Sequence, residues 1–124
     1  MASELRVNTL KDASGNNSIA TSFVAGGSAK ARHASNDAGT TLYGSFNVSS
    51  LGDTATGKQT ITFTTAMSDL NYSAVSGSGS QASGSARFML INSLATTSYI
   101  VNAYSAAVSL ADNSSSSTVH GDLA

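Results

Sequence analysis

Apolar residues along this chain recur at alternate positions more often than at helical spacing. Over residues 60–65, Ile61 and Phe63 fall on one side and Thr60, Thr62 and Thr64 on the other, the period-two pattern of a half-buried β-strand. Residues 67–71 break the alternation with turn-forming side chains, and Tyr72, Ala74 and Val75 resume it, which predicts two strands joined by a short loop. Nearer the N-terminus, Leu5 and Val7 alternate with polar neighbours. The run Asp-Ala-Ser-Gly-Asn at 12–16 is turn chemistry, because Gly and Asn tolerate positive φ, so residues 5–19 predict a β-hairpin. An isolated two-stranded hairpin is marginal in water and needs a surface to lie on. Leu5, Val7, Leu10, Ile19 and Phe23 are therefore the candidate residues of an assembly arm.

Residues 24–28 predict a bend, and a helix over 29–34 would be confined to a turn or two by Gly26, Gly27 and Gly39. Residues 43–51, with Phe46 and Val48 on one face, and the loop at 52–57 predict a hairpin leading into 60–65. The Ser/Gly run at 76–85 predicts an exposed loop, whose Ser78, Ser80, Gln81 and Ser83 are candidate contact residues. Strands return at 87–91, 99–104 and 107–110. The run Phe-Met-Leu-Ile at 88–91 is apolar on both faces, which predicts a central strand or one covered by a neighbouring subunit. Residues 114–117 predict a turn, and 118–120 a closing strand. Turn signals every 8 to 12 residues, the absence of proline and the lack of helical period predict an all-β fold, an antiparallel sandwich or small jelly-roll-like domain with an N-terminal hairpin arm. The expected division is an arm over residues 1–35, for assembly or docking, and a β-sandwich head over 36–124.

Composition narrows the function classes. The 124 residues suffice for one core, and although 40% are hydrophobic, only 6% are aromatic and much of the remainder is alanine, so the core is expected to be thin. Contacts between subunits are then expected to supply part of the stability. Charged residues are 10% of the chain and the net charge is −1, which provides no clustered Lys and Arg for nucleic acid or anionic lipid. No apolar run is long enough to span a bilayer, and the N-terminal residues lack a signal-peptide pattern, so a soluble protein made in a cytoplasm is expected, without membrane insertion. Cysteine is absent, which excludes disulfides and thiolate chemistry.

Candidate chemistry is sparse. His33, His120, abundant Ser and seven acidic residues allow a Ser/His/Asp set on paper, but no Gly-x-Ser-x-Gly elbow supports one. His33 with Asp37 gives only two metal ligands. The glycines at 77–84 lack the Lys and following helix of a phosphate cradle. The tyrosines 43, 72, 99 and 104 offer faces for sugar rings, although core packing is the simpler role for Tyr72. The expectation is of no catalytic, cofactor-binding or metal-binding residues, and of no enzyme.

At Phe63, Ala66, Met67, Asn71, Tyr72 and Val75 the chain resembles the small β-rich modules of bacteriophage tail-fibre and related virion proteins, common in phages of marine bacteria, with their Phe-x-x-Ala-Met-x-x-x-Asn-Tyr-x-x-Val pattern. Residues 6–17, Arg-Val-Asn-Thr-Leu-Lys-Asp-Ala-Ser-Gly-Asn-Asn, resemble the opening of the same proteins, followed as there by a small-residue segment with Ala29, Lys30 and Ala31. Arg32 and His33 depart from the pattern, which has aromatic residues there. The resemblance implies a non-enzymatic virion structural protein of short tail-fibre or knob type, a homotrimer assembled in the host cytoplasm and mediating adsorption to the host surface. Its expected partners are itself, other virion proteins and a host surface glycan or protein. A capsid decoration or head-fibre protein, bracing or projecting from the phage head, is the alternative.

Overall fold

The computed structural model describes residues 3–79 and 87–124. Two short antiparallel strands come first, β1 (Thr9–Lys11) and β2 (Ser18–Ala20), followed by one short helix, α1 (Thr21–Gly27). The predicted hairpin is present, with Leu10 opposite Ile19 and Gly15 at φ +73° in its turn. Asp12 closes the turn through its carboxylate, which accepts the Asn16 N–H and the Asn17 side-chain amide.

The helix lies earlier than expected, over the residues read as a bend, and residues 31–35 are a strand instead. Lys30 holds the end of α1, its Nζ donating to the carbonyls of Ala25 and Ser28 and to the Ser28 hydroxyl. A cation suits the carbonyl end of a helix.

The remainder is an antiparallel β-sandwich. One sheet has the order β4 (Leu42–Phe46), β3 (Ala31–Ser35), β10 (Ser115–His120), β7 (Ser73–Ser78). The other has the order β5 (Val48–Ala55), β6 (Lys58–Phe63), β9 (Ser98–Ser105), β8 (Arg87–Asn92). Because β3 is an interior strand with Ala31 fully buried, the arm that stands apart from the sandwich ends before Ala31 rather than at residue 35. The stretch 43–51, read as one strand, is two: Asn47 takes φ +52° and passes the chain from β4 in the first sheet to β5 in the second. Its side chain fixes the crossing by accepting the Thr65 N–H and donating to the Thr65 carbonyl.

The strand predicted at 60–65 is β6, with Gln59, Ile61 and Phe63 inward. The loop after it crosses to the other sheet and plugs the end of the sandwich with Met67 and Tyr72. Phe63 packs edge-on against Tyr72 at 5.9 Å between centroids and tilted against Tyr99 at 5.4 Å. The Tyr72 hydroxyl donates to the Ala95 carbonyl at 2.9 Å. Of the residues of the 63–75 pattern, Phe63, Met67 and Tyr72 are thus buried in the core, whereas Asn71 and Val75 are exposed, Val75 to 65%.

Of the two positions expected for the run 88–91, the central one is corrected: it forms an edge strand, β8, which turns Met89 and Ile91 toward the core and leaves Phe88 and Leu90 exposed. Two further expectations are corrected. Residues 107–110 make a single bridge, Leu110 to Tyr104, and no strand. Residues 115–117, read as part of a turn, belong to β10, an interior strand.

Candidate functional site

The core has an apolar end and a polar end. Ile61, Phe63, Met67, Tyr72, Val101 and Val119 fill the first. At the second, β3 and β10 direct His33, Ser35, Ser115 and Ser117 inward, opposite Gln59 of β6, and all five are buried. Small hydroxyl side chains leave the space that the imidazole occupies.

The hydrogens of this cluster can be placed from Gln59. Its Nε2 faces the carbonyls of Asn36 and Asn113, at 3.0 and 3.1 Å, and carbonyls only accept. Its Oε1 therefore faces the hydroxyls of Ser35 and Ser115, each donating at 2.7 Å. With its proton so used, Ser115 must accept from His33 Nε2 at 2.9 Å. His33 Nδ1 is then the bare nitrogen of a neutral ring, taking the Ser117 hydroxyl proton at 2.7 Å, and Ser117 in turn accepts from the Tyr99 hydroxyl. A single line of donors runs from Tyr99 through Ser117, His33 and Ser115 to Gln59. Burial pushes His33 down to about 4 and Tyr99 up to about 12, so both are neutral near pH 7.

This places serine against histidine, as in a nucleophilic dyad, yet the other ring nitrogen meets a serine and not a carboxylate, and the pair is closed from solvent. Asp37, the sequence partner of His33 for a metal, accepts the Ser114 N–H instead, at 2.7 Å. Among the described residues no group of three or more His, Asp or Glu could hold a metal ion, and no helix is long and apolar enough to cross a membrane. The network rigidifies the polar end of the sandwich. Its sequence signal was the alternation of Ser115, Ser117 and Val119 in β10, obscured because serine also marks turns.

The arm is the contrasting region. Of the 26 residues from Ser3 to Ser28, all but Ala20 and Thr21 are exposed. Its candidate residues keep large apolar areas in solvent, with Leu5 80% and Phe23 73% exposed and Val7, Leu10 and Ile19 between 38% and 45%. The hairpin also forms an open hollow of about 320 Å³ lined by Leu10, Lys11, Asp12, Asn17, Ser18 and Ile19. The substantial packing contacts of β1, β2 and α1 are with one another.

Of the candidate contact residues, Ser78 is exposed at the end of β7, where its hydroxyl accepts from the Asn113 amide at 3.2 Å. Ser80, Gln81 and Ser83 lie outside the described residues. A second groove, of about 510 Å³, crosses the outward face of the first sheet, over Arg32, Ala34, Ser116 and Gly77. No family model, no curated protein and no solved structure matches the chain.

Proposed function

We propose that the chain is a non-enzymatic structural subunit of a bacteriophage virion, a short tail fibre or knob that assembles as a homotrimer and mediates adsorption to the host surface. The observation that carries the assembly part is the arm: a hairpin and helix with no buried apolar side chain, whose strands pair with neither sheet of the sandwich. Apolar area left in water is unfavourable by roughly 25 cal/mol per Å², and a partner surface removes that cost. The phage and trimer parts rest on the resemblance at residues 6–17 and 63–75. The loop end of the sandwich near Ser78 is the surface assigned to the host, where weak contacts multiplied over a particle give useful avidity.

A capsid decoration or head-fibre role is the second reading, favoured by the direct passage from arm to sandwich: β3 follows α1 after three residues, with no shaft between. Electron microscopy of intact particles labelled with an antibody to this chain separates the two. Label at the tail, together with slowed adsorption when purified protein is added to host cells, supports the fibre role. Label over the head moves the chain to decoration. Absence from particles, with the epitope shown accessible, removes the virion assignment.

A further inference from the structure

Among the described residues, the sandwich carries an apolar face that no other element covers. On the outward side of the second sheet, strand register sets Phe88 beside Tyr104 and Leu90 beside Asn102, with Ile100 one step along β9. Phe88 and Leu90 are 58% and 55% exposed. On the outward side of the first sheet, by contrast, Phe46 and Val75 sit on opposite edge strands in a row interrupted by Arg32 and Thr118. Only the second sheet therefore joins its exposed apolar side chains into one patch among the described strands.

Within that patch lies a second, independent irregularity. Asn102 projects from the outward side, yet it is 4% exposed, and its Oδ1 has no hydrogen-bond partner. Its Nδ2 reaches the Tyr104 hydroxyl only at 3.4 Å. That oxygen is closed from solvent, so what the face presents outward is its apolar side chains.

We propose that this face, formed by Phe88, Leu90, Ile100, Tyr104 and Asn102, seats the N-terminal arm of a second copy of the chain. The inference rests on reading the protein as a self-assembling subunit and specifies the contact that does it. Both surfaces expose apolar side chains among the described residues. The open hollow of the hairpin, lined in part by Leu10 and Ile19, receives a protruding side chain such as Phe88. The arm's 26 residues, 3–28, match the roughly 20–30 residues a side of a stable protein interface. In this structure the arm makes no substantial packing contact with its own β8 or β9. The arm leaves from β3 in the opposite layer, where the Lys30 N–H is held by the Val119 carbonyl, and residues 28–30 span at most about 10 Å.

The absence of cysteine makes the test clean. The double variant Phe23→Cys/Leu90→Cys and the control Phe23→Cys/Val75→Cys are oxidised at micromolar concentration and separated without reductant, with native mass measured by light scattering on unmodified protein. The expected result is covalent multimers from the first pair at several times the yield of the control, and a shift of the Leu90→Asp variant toward single-chain mass. All of these positions are exposed, so folding is retained, as circular dichroism would verify. Equal linking by the control, linking through Phe23→Cys alone, a disulfide closed within one chain, or Leu90→Asp leaving the assembly intact each overturns the proposal. If the unmodified protein is multimeric and the first pair does not link, this contact fails while self-assembly stands; a monomeric native protein brings down both.

Discussion

A proton added to His33 would put a second N–H on the ring at Nδ1, facing a Ser117 hydroxyl that already donates to that nitrogen and accepts from Tyr99. The line of donors has no slack for it, and no carboxylate is among the ring's partners to stabilise the charge. Tyr99, the other titratable group against the ring, stays neutral until about 12. The folded chain therefore binds that proton only near pH 4, whereas an unfolded chain binds it at the ordinary 6.5. Between those values the unfolded state holds more protons. Stability that is fully present above pH 6.5 is lost as the pH falls toward 4, by on the order of 3 kcal/mol from this residue. Urea unfolding at pH 7 and pH 4.5 should show a lower midpoint in acid, and His33→Gln should flatten the dependence across that window. Gly57 is a second residue with little freedom: its φ is +68°, and a Cβ there would lie 2.7 Å from the Ala103 carbonyl oxygen and the Ala111 nitrogen. Gly57→Ala is expected to cost about 2 kcal/mol or more, read as a lowered thermal midpoint.

Among the elements, β10 is the one whose side chains divide most sharply by face. Ser115 and Ser117 each hold His33 within the core, whereas Ser116 looks outward and has only a long 3.5 Å contact with the Gly77 carbonyl. Ser117→Ala and Ser115→Ala should each destabilise by about 1–3 kcal/mol, and Ser116→Ala by less than about 0.5 kcal/mol, as chemical unfolding of the three variants would show. The same strand explains where sequence reading stops. In β6 the inward positions include Ile61 and Phe63, and alternation of hydrophobicity reveals the strand at once. In β10 the inward positions are Ser, Ser and Val, so burial is decided by a histidine and a glutamine elsewhere in the chain. Strand β8 differs: its apolar run is visible in the sequence, but its edge position depends on pairing order, which no local pattern encodes. The hairpin was legible because Asp12, Gly15 and Asn17 determine it locally. The exposure of Leu5, Val7, Leu10, Ile19 and Phe23 follows from the same local cause, apolar side chains on an element too small to bury them.

At the scale of the molecule, a thin core and an uncovered arm lead to the same expectation by separate routes. Among the described residues the large apolar side chains that are fully buried are Tyr99, Ile61, Met67, Val101 and Val119, a small set for a chain of 124 residues, and one end of the core is given to hydrogen bonds whose net contribution is modest. Leu5, Leu10, Ile19, Phe23 and Val24 meanwhile remain in solvent on the arm. If assembly covers them, folded subunits are stabilised by mass action, and the thermal midpoint must rise with protein concentration. A chain without residues 1–28 keeps every strand of the sandwich and loses this dependence. The expected result is a full-length protein at three times the 12.4 kDa chain mass whose midpoint climbs by several degrees over a hundredfold concentration range. The shortened chain should run as a 1:1 species with a flat midpoint and native-like near-ultraviolet circular dichroism. A concentration-independent midpoint for the full-length chain would mean that the arm is not the source of the missing stability. The sandwich, with its polar network, would then account for all of it.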